Sequence, residues 1–156
     1  MDLLHVIRRT LRYRLEYAHS LIKGELMQYP KCRILIADDY PPIRHTLRNL
    51  LTRYDDIEII GEAGDGKQAI ELVADCRPDL ILMDSNMPKM SGIEATSVIR
   101  KSWKNTMIIG LCVDQNPYTT DAFLKAGALA VMSKDRFDHL HPMIQRACAN
   151  RAAHSV

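Results

Sequence analysis

The chain lacks several features, and each absence excludes something. No apolar run approaches the ~20 residues that a membrane-spanning helix needs. Arg8, Arg9, Arg12 and Arg14 interrupt the N-terminal apolar segment that a secretory signal would require. No Cys-x-x-Cys pair exists for zinc or dithiol chemistry, because Cys32, Cys76, Cys112 and Cys148 stand 36 to 44 residues apart. Each cysteine has apolar neighbours, which predicts buried, reduced thiols and suits a cytoplasmic protein. There is no large charge excess: a net charge of +2 is too small to predict nucleic-acid binding. No internal repeat or low-complexity tract appears. At 156 residues, what remains is one soluble domain, or one domain with an appendage.

The charge is unevenly placed. Residues 1–31 hold six Lys/Arg against three Asp/Glu, whereas residues 32–156 hold 15 against 16. In the basic segment Leu4, Ile7, Leu11, Leu15, Ala18 and Ile22 keep a helical spacing, and Gly24 and Pro30 close the stripe. The pattern predicts an N-terminal amphipathic helix over 1–30, distinct from a domain over 31–156. Its apolar stripe predicts packing on that domain or on a second copy, with a homodimer through residues 1–29 as the testable form. Attachment to a membrane surface ranks below that reading.

From Cys32 onward, short apolar runs alternate with segments of helical period. The runs are CRILIA (32–37), IEIIGEA (57–63), DLILMD (79–84), MIIGLCV (107–113) and ALAVMS (128–133). Such continuous apolar character marks strands covered on both faces. Between them Ile43, Leu47, Leu50 and Tyr54 keep helical spacing, as do Ala69, Ile70 and Val73, and at the end Leu140, Ile144 and Ala147. Weaker stripes predict helices near 92–102 and 117–126. Pro41 and Pro42 suit a first helical turn, and Gly127 suits a helix stop. Five strand–helix units predict an α/β fold with a five-stranded parallel sheet and right-handed crossovers.

Ligands of open parallel sheets sit beyond the carboxyl ends of the strands. The first strand ends in Asp38 and Asp39, the third in Asp84 and the fourth at Cys112, while Ser133 and Lys134 follow the fifth. Were strands one and three neighbours, three carboxylates would converge and repel one another, and a divalent cation would resolve that. Mg²⁺ prefers such oxygen ligands. Lys134, about two strand spacings or ~10 Å away, could reach an anion held there. Three acids, a hard metal and a lysine together predict phosphoryl handling. A competing reading takes Gly61, Gly66 and Lys67 as a nucleotide loop, G-x-x-x-x-G-K. It fails because position 68 is Gln where a Mg²⁺-holding hydroxyl is needed, and Glu62 and Asp65 bring carboxylates where phosphates would sit.

The segments ILIADD (34–39), GEAGDGKQAIELV (61–73), RPDLILMDSNMPKMSG (77–92) and LKAGALAVMSKD (124–135) together resemble the bacterial two-component response-regulator receiver domain. The likeness covers about 32–150. It implies a flavodoxin-like (βα)5 fold with strand order 2-1-3-4-5. It implies that Asp84 is the phosphoacceptor for a histidine kinase or phosphotransfer protein. Mg²⁺ would be held by Asp39, Asp84 and the backbone carbonyl of Asn86, with Asp38 acting through water, while Lys134 would pair with phosphoryl oxygens. Cys112 takes the position where the family has a switch Thr or Ser, and Val131 the position of a frequent Tyr or Phe. Both departures predict weakened readout. Asp135 replaces a frequent proline, so the Lys134–Asp135 peptide is expected to be trans.

The resemblance therefore implies a cytoplasmic response regulator that signals by phosphorylation-modulated binding of a downstream protein and is not a classical enzyme. It would bind no nucleic acid through this chain. Three alternatives stand beside it: a receiver-like scaffold that signals without phosphorylation, a DNA-binding regulator whose output domain lies outside this sequence, and an aspartate-nucleophile phosphatase, which wants a second Asp two residues after the nucleophile where this chain has Asn86. The Lys134–Asp135 pair is similar to the branch with helix-turn-helix output domains.

Overall fold

The computed structural model describes residues 31–113 and 116–154. Five strands, β1 (Cys32–Ala37), β2 (Ile57–Ala63), β3 (Leu80–Asp84), β4 (Met107–Cys112) and β5 (Ala130–Ser133), form one parallel sheet in the order β2-β1-β3-β4-β5. The crossovers are α1 (Pro41–Leu51), α2 (Gly66–Cys76), α3 (Gly92–Ser102) and α4 (Pro117–Ala126). A 3-10 turn (Phe137–His139) leads into α5 (Leu140–His154). The expected N-terminal helix over 1–30, and any dimer it forms, lie outside the described residues. Among the described residues, no helix is long and apolar enough to cross a membrane.

Successive strand residues point to opposite faces, and both faces are apolar because helices cover both. On one face Ile34, Ile36, Leu82, Ile109 and Leu111 pack against Leu47 and Leu51 of α1 and Leu140, Ile144 and Ala147 of α5. On the other, Leu35, Ile81, Met83 and Ile108 meet Ala69 and Val73 of α2, Ala95 and Ile99 of α3, and Phe123 of α4. Phe123 is the one fully buried large side chain of the weakly striped α4. A Cβ at Gly110 would stand 2.8 Å from its ring, so glycine on β4 makes room for it.

The caps explain the helix limits. Pro41 and Pro42 open α1, Asn116 accepts from Thr119 N–H ahead of α4, and Gly127 ends α4 in the left-handed region at φ 103°. Ser91 and Glu94 exchange hydrogen bonds as a capping box for α3.

Three expectations need correction. In α1 the buried residue is Leu51, four on from Leu47, and Leu50 is half-buried. The ends of three strands are shorter than expected: β3 begins at Leu80, β4 ends at Cys112 and β5 begins at Ala130. Cys32 and Cys148 are not separate thiols but form a disulfide, with Cα atoms 6.4 Å apart. The reason is topological: α5 packs over β1, so its later turns descend to the strand's beginning. Cys112 is buried and Cys76 half-buried, neither in a disulfide. No described peptide bond is cis, so Lys134–Asp135 is trans as expected.

Candidate functional site

The apolar burial of β1 and β3 stops at acids. Asp38, just past β1, is fully buried and donates its N–H to Ala63 O at 3.0 Å, while Asp39 beside it is exposed. Asp84 closes β3 and is 4% exposed. Ala37 stands in register with Met83, so the two acidic ends arrive side by side. One carboxylate oxygen from each of Asp38, Asp39 and Asp84 lies within 4.8 Å of the others. Lys134 follows β5 and is anchored by its N–H to Cys112 O at 2.8 Å. Its ammonium reaches back across β4 to stand 2.6 Å from Asp38 Oδ2 and 2.9 Å from Asp84 Oδ1.

The charges do not balance. Burial is the main influence on Asp84 and pushes its carboxyl above the ordinary range; Lys134 opposes this, and the charges of Asp38 and Asp39 reinforce it. Burial alone would lower Lys134, but its contacts with Asp38 and Asp84 outweigh that and hold the ammonium above its ordinary value. Asp38 Oδ2 meets the ammonium as a close ion pair. The donors are all carboxylate oxygens, the set that a hard divalent cation such as Mg²⁺ takes. On this geometry the residues fit that ion.

Neighbouring groups fix the acids. Tyr40 N–H donates to Asp38 Oδ1 at 2.9 Å, and Arg44 Nη1 to Asp38 O at 2.7 Å. Glu62 on β2 aims Arg44 by accepting from its Nε at 3.0 Å, and also accepts from Arg48 Nε at 2.6 Å. Sequence reasoning missed this Arg44–Glu62–Arg48 group. Its only signal was two arginines one helical turn apart, opposite a strand acid.

The loop after Asp84 is tied down as well. Lys89, held at φ 64°, places Nζ 2.6 Å from Asp65 Oδ2, and Gly66 N–H donates to Met90 O at 3.2 Å. A Cβ on Gly92 would overlap the carbonyl oxygen of Asp84, so glycine is needed where the loop turns back into α3. These contacts also dispose of the nucleotide reading. Gly64 N–H is taken by Gln68 Oε1 at 2.7 Å, and Asp65 caps α2 by accepting from Gln68 N–H at 2.8 Å.

Thus Asp38, Asp39, Asp84 and Lys134 come together. Asn86 lies exposed two residues past Asp84. Cys112 is buried at the end of β4, with Sγ directed to Met132 O at 3.6 Å.

The model of the response regulator receiver domain family matches residues 34–145. The transcriptional regulatory protein YxjL of Bacillus subtilis is 39% identical over 110 residues, covering 70% of this chain and 50% of that protein. A protein-glutamate methylesterase/protein-glutamine glutaminase of Myxococcus xanthus is 38% identical over 109 residues, covering 69% of this chain and 31% of that protein. The signal receiver domain of the response regulator NarL from Mycobacterium tuberculosis superposes with a TM-score of 0.72 at 27% identity, covering 77% of this chain and 98% of that one. This chain belongs to the response regulator receiver domain family, whose general function is phosphorylation-based signalling in two-component systems. It spans about half the length, or less, of the curated relatives it matches. The family is generally non-enzymatic, although full-length relatives include methylesterases.

Proposed function

We propose that Asp84 accepts a phosphoryl group from the phosphohistidine of a histidine kinase or phosphotransfer protein, and that the domain then signals by binding a downstream protein in the cytoplasm. The observation that carries this reading is the meeting of Asp38, Asp39 and Asp84 with Lys134 at one sheet edge. An Asp84 carboxylate oxygen attacks phosphorus, the phosphorus–nitrogen bond breaks, and an acyl phosphate remains on the strand end. Asp39 and Asp84, with the carbonyl of Asn86, would hold Mg²⁺ directly and Asp38 through water. When bound, the ion neutralises charge on the phosphoryl oxygens. Lys134, 2.9 Å from Asp84 Oδ1, supplies a second positive charge. A rigid strand tip holds the buried carboxylate at the sheet edge in a fixed direction. Intact mass after incubation with acetyl phosphate and Mg²⁺ tests the assignment. One added phosphoryl group is expected in wild type and none in Asp84→Asn; equal modification of both would overturn it.

Cys112 favours a second reading of the output. Its thiol is a weak donor and is directed to Met132 O. A phosphoryl group on Asp84 therefore lacks the hydroxyl donor that would pull β4 toward it. A hydrogen bond to a charged group is worth about 1.5–3 kcal/mol, and a two-state switch moves only by the difference in interaction between its states. Phosphorylation is then read weakly, or the domain serves as a scaffold. NMR of wild type and Cys112→Thr, with and without beryllofluoride and Mg²⁺, decides. Shifts confined near Asp84 in wild type and extending over residues 118–140 in the threonine variant are expected. A wide response in wild type would make Cys112 a neutral substitution.

A further inference from the structure

At the opposite end of β3 lies a cleft of about 470 Å³ between the end of α2 and the end of α3. Its walls include Arg77, Lys101, Trp103 and Lys104, and no described lining residue is acidic. The volume falls in the ~300–1,000 Å³ range of small-molecule sites. The five residues of β3 put it about 16 Å from Asp84.

Basic residues at helix C-termini ordinarily serve the helix dipole, and here neighbouring arginines outside the cleft lining already satisfy the local carbonyls. Arg100 Nη1 donates to Lys104 O and Thr106 O at 2.5 and 2.8 Å, and Arg33 Nη1 donates to Arg77 O at 3.1 Å. Those two arginines already satisfy carbonyls around the cleft. Arg77, Lys101 and Lys104 are additional to them.

Arg77 also occupies an unfavourable backbone position. It is the left-handed C-cap of α2, at φ 50° and ψ 63°, a place that glycine or asparagine fills with less strain. Its guanidinium stands 5.8 Å from the centroid of the Trp103 ring, within cation–π range. The ring fixes the planar cation at the cleft wall, with the two lysines as further donors. Three cations on a concave wall suit the closely spaced oxygens of a phosphate compound. An acidic helix or extended peptide needs a longer groove.

We propose that this cleft binds a small phosphate-bearing anion, independently of the chemistry at Asp84. Trp103 is the only tryptophan in the chain, so its emission reports on the cleft directly. The full chain is titrated with pyrophosphate in EDTA, which keeps the anion from being drawn to the acidic edge by metal. A saturable change is expected, with a Kd below about 1 mM, weakening several-fold as salt rises toward physiological strength. Lys104→Gln should raise the Kd at least fivefold. Arg77→Gly should do so too, as read by calorimetry. Because glycine accepts the left-handed backbone, Arg77→Gly should fold at least as stably as wild type, so its loss of binding cannot be attributed to unfolding. No saturable response up to about 10 mM, or an unchanged Kd in both variants, overturns the proposal. Tighter binding of a glutamate-rich peptide than of pyrophosphate also overturns it and assigns the cleft to a protein partner.

Discussion

At the carboxyl ends of β1 and β3, three carboxylates converge and two of them, Asp38 and Asp84, share Lys134; beyond the other end of β3, Arg77, Lys101 and Lys104 line a cleft with no acid among its described lining residues. The same strand separates both groups, yet their energetics differ. Asp38 and Asp84 are buried, so each depends on a partner at close range. The cations of the cleft are all exposed, Arg77 included, and little of the fold depends on them. Perturbing the charged groups of the acidic edge should change both stability and chemistry, whereas removing a cation of the basic edge should change binding alone.

The largest stability effect expected follows from that contrast. Lys134→Ala removes the cation that touches both buried acids, and breaking a buried pair in this way costs about 3–5 kcal/mol. Urea unfolding in EDTA should show the loss, and added Mg²⁺ should recover much of it. A variant as stable as wild type in EDTA would mean that the two buried acids do not depend on Lys134, and the contrast between the edges would collapse.

The disulfide ties down the basic end. Cys32 and Cys148 are joined across a sequence separation of 116, and removing a native cross-link typically costs about 2–5 kcal/mol. Cys148→Ser should lower the unfolding midpoint by a corresponding amount, and dithiothreitol should destabilise wild type but not the variant. Pyrophosphate binding at the Trp103 cleft should be unaffected. Identical midpoints with and without reductant would show that the two cysteines do not hold this end of the sheet together.

The two edges also differ in how far the sequence revealed them. Asp38, Asp39 and Asp84 stood out because apolar runs ended abruptly in acids, and local order alone put them on strand tips. Lys134 was identifiable for the same reason, although the neighbouring of β1 and β3 came from the family resemblance rather than from periodicity. The supports were hidden, because each depends on two segments meeting. Glu62 faces Arg44 only through the pairing of β2 with β1, and Asp65 meets Lys89 only because two loops touch. The Cys32–Cys148 bond spans nearly the whole domain and depends on the path of α5. Apolar neighbours correctly signalled burial at Cys32 but carried no information about its partner.

The smallest effect expected concerns Glu62, which supports the acidic edge from behind. Burial would raise its carboxyl, but hydrogen bonds from Arg48 and Arg44, together with their charges, outweigh this and hold it below its ordinary 4.5. Glu62 therefore binds a proton more readily when the chain is unfolded. Its contribution to stability is complete above that ordinary value, and it drains away as acid takes the pH down through the lower folded value. Glu62→Gln retains a hydrogen-bonding side chain but removes the titration. Stability measured from neutral pH downward should start slightly lower in the variant, and the two curves should converge below about pH 4.5. Mg²⁺ affinity at neutral pH should fall by a factor of about two, because Arg44 loses its anionic guide while keeping its bond to Asp38 O. Parallel curves across the acid range would mean that the two arginines do not discriminate between the folded and unfolded carboxylate. The acidic edge would then rest on Lys134, Tyr40 and the Arg44 bond to Asp38 O, without help from the Glu62 charge.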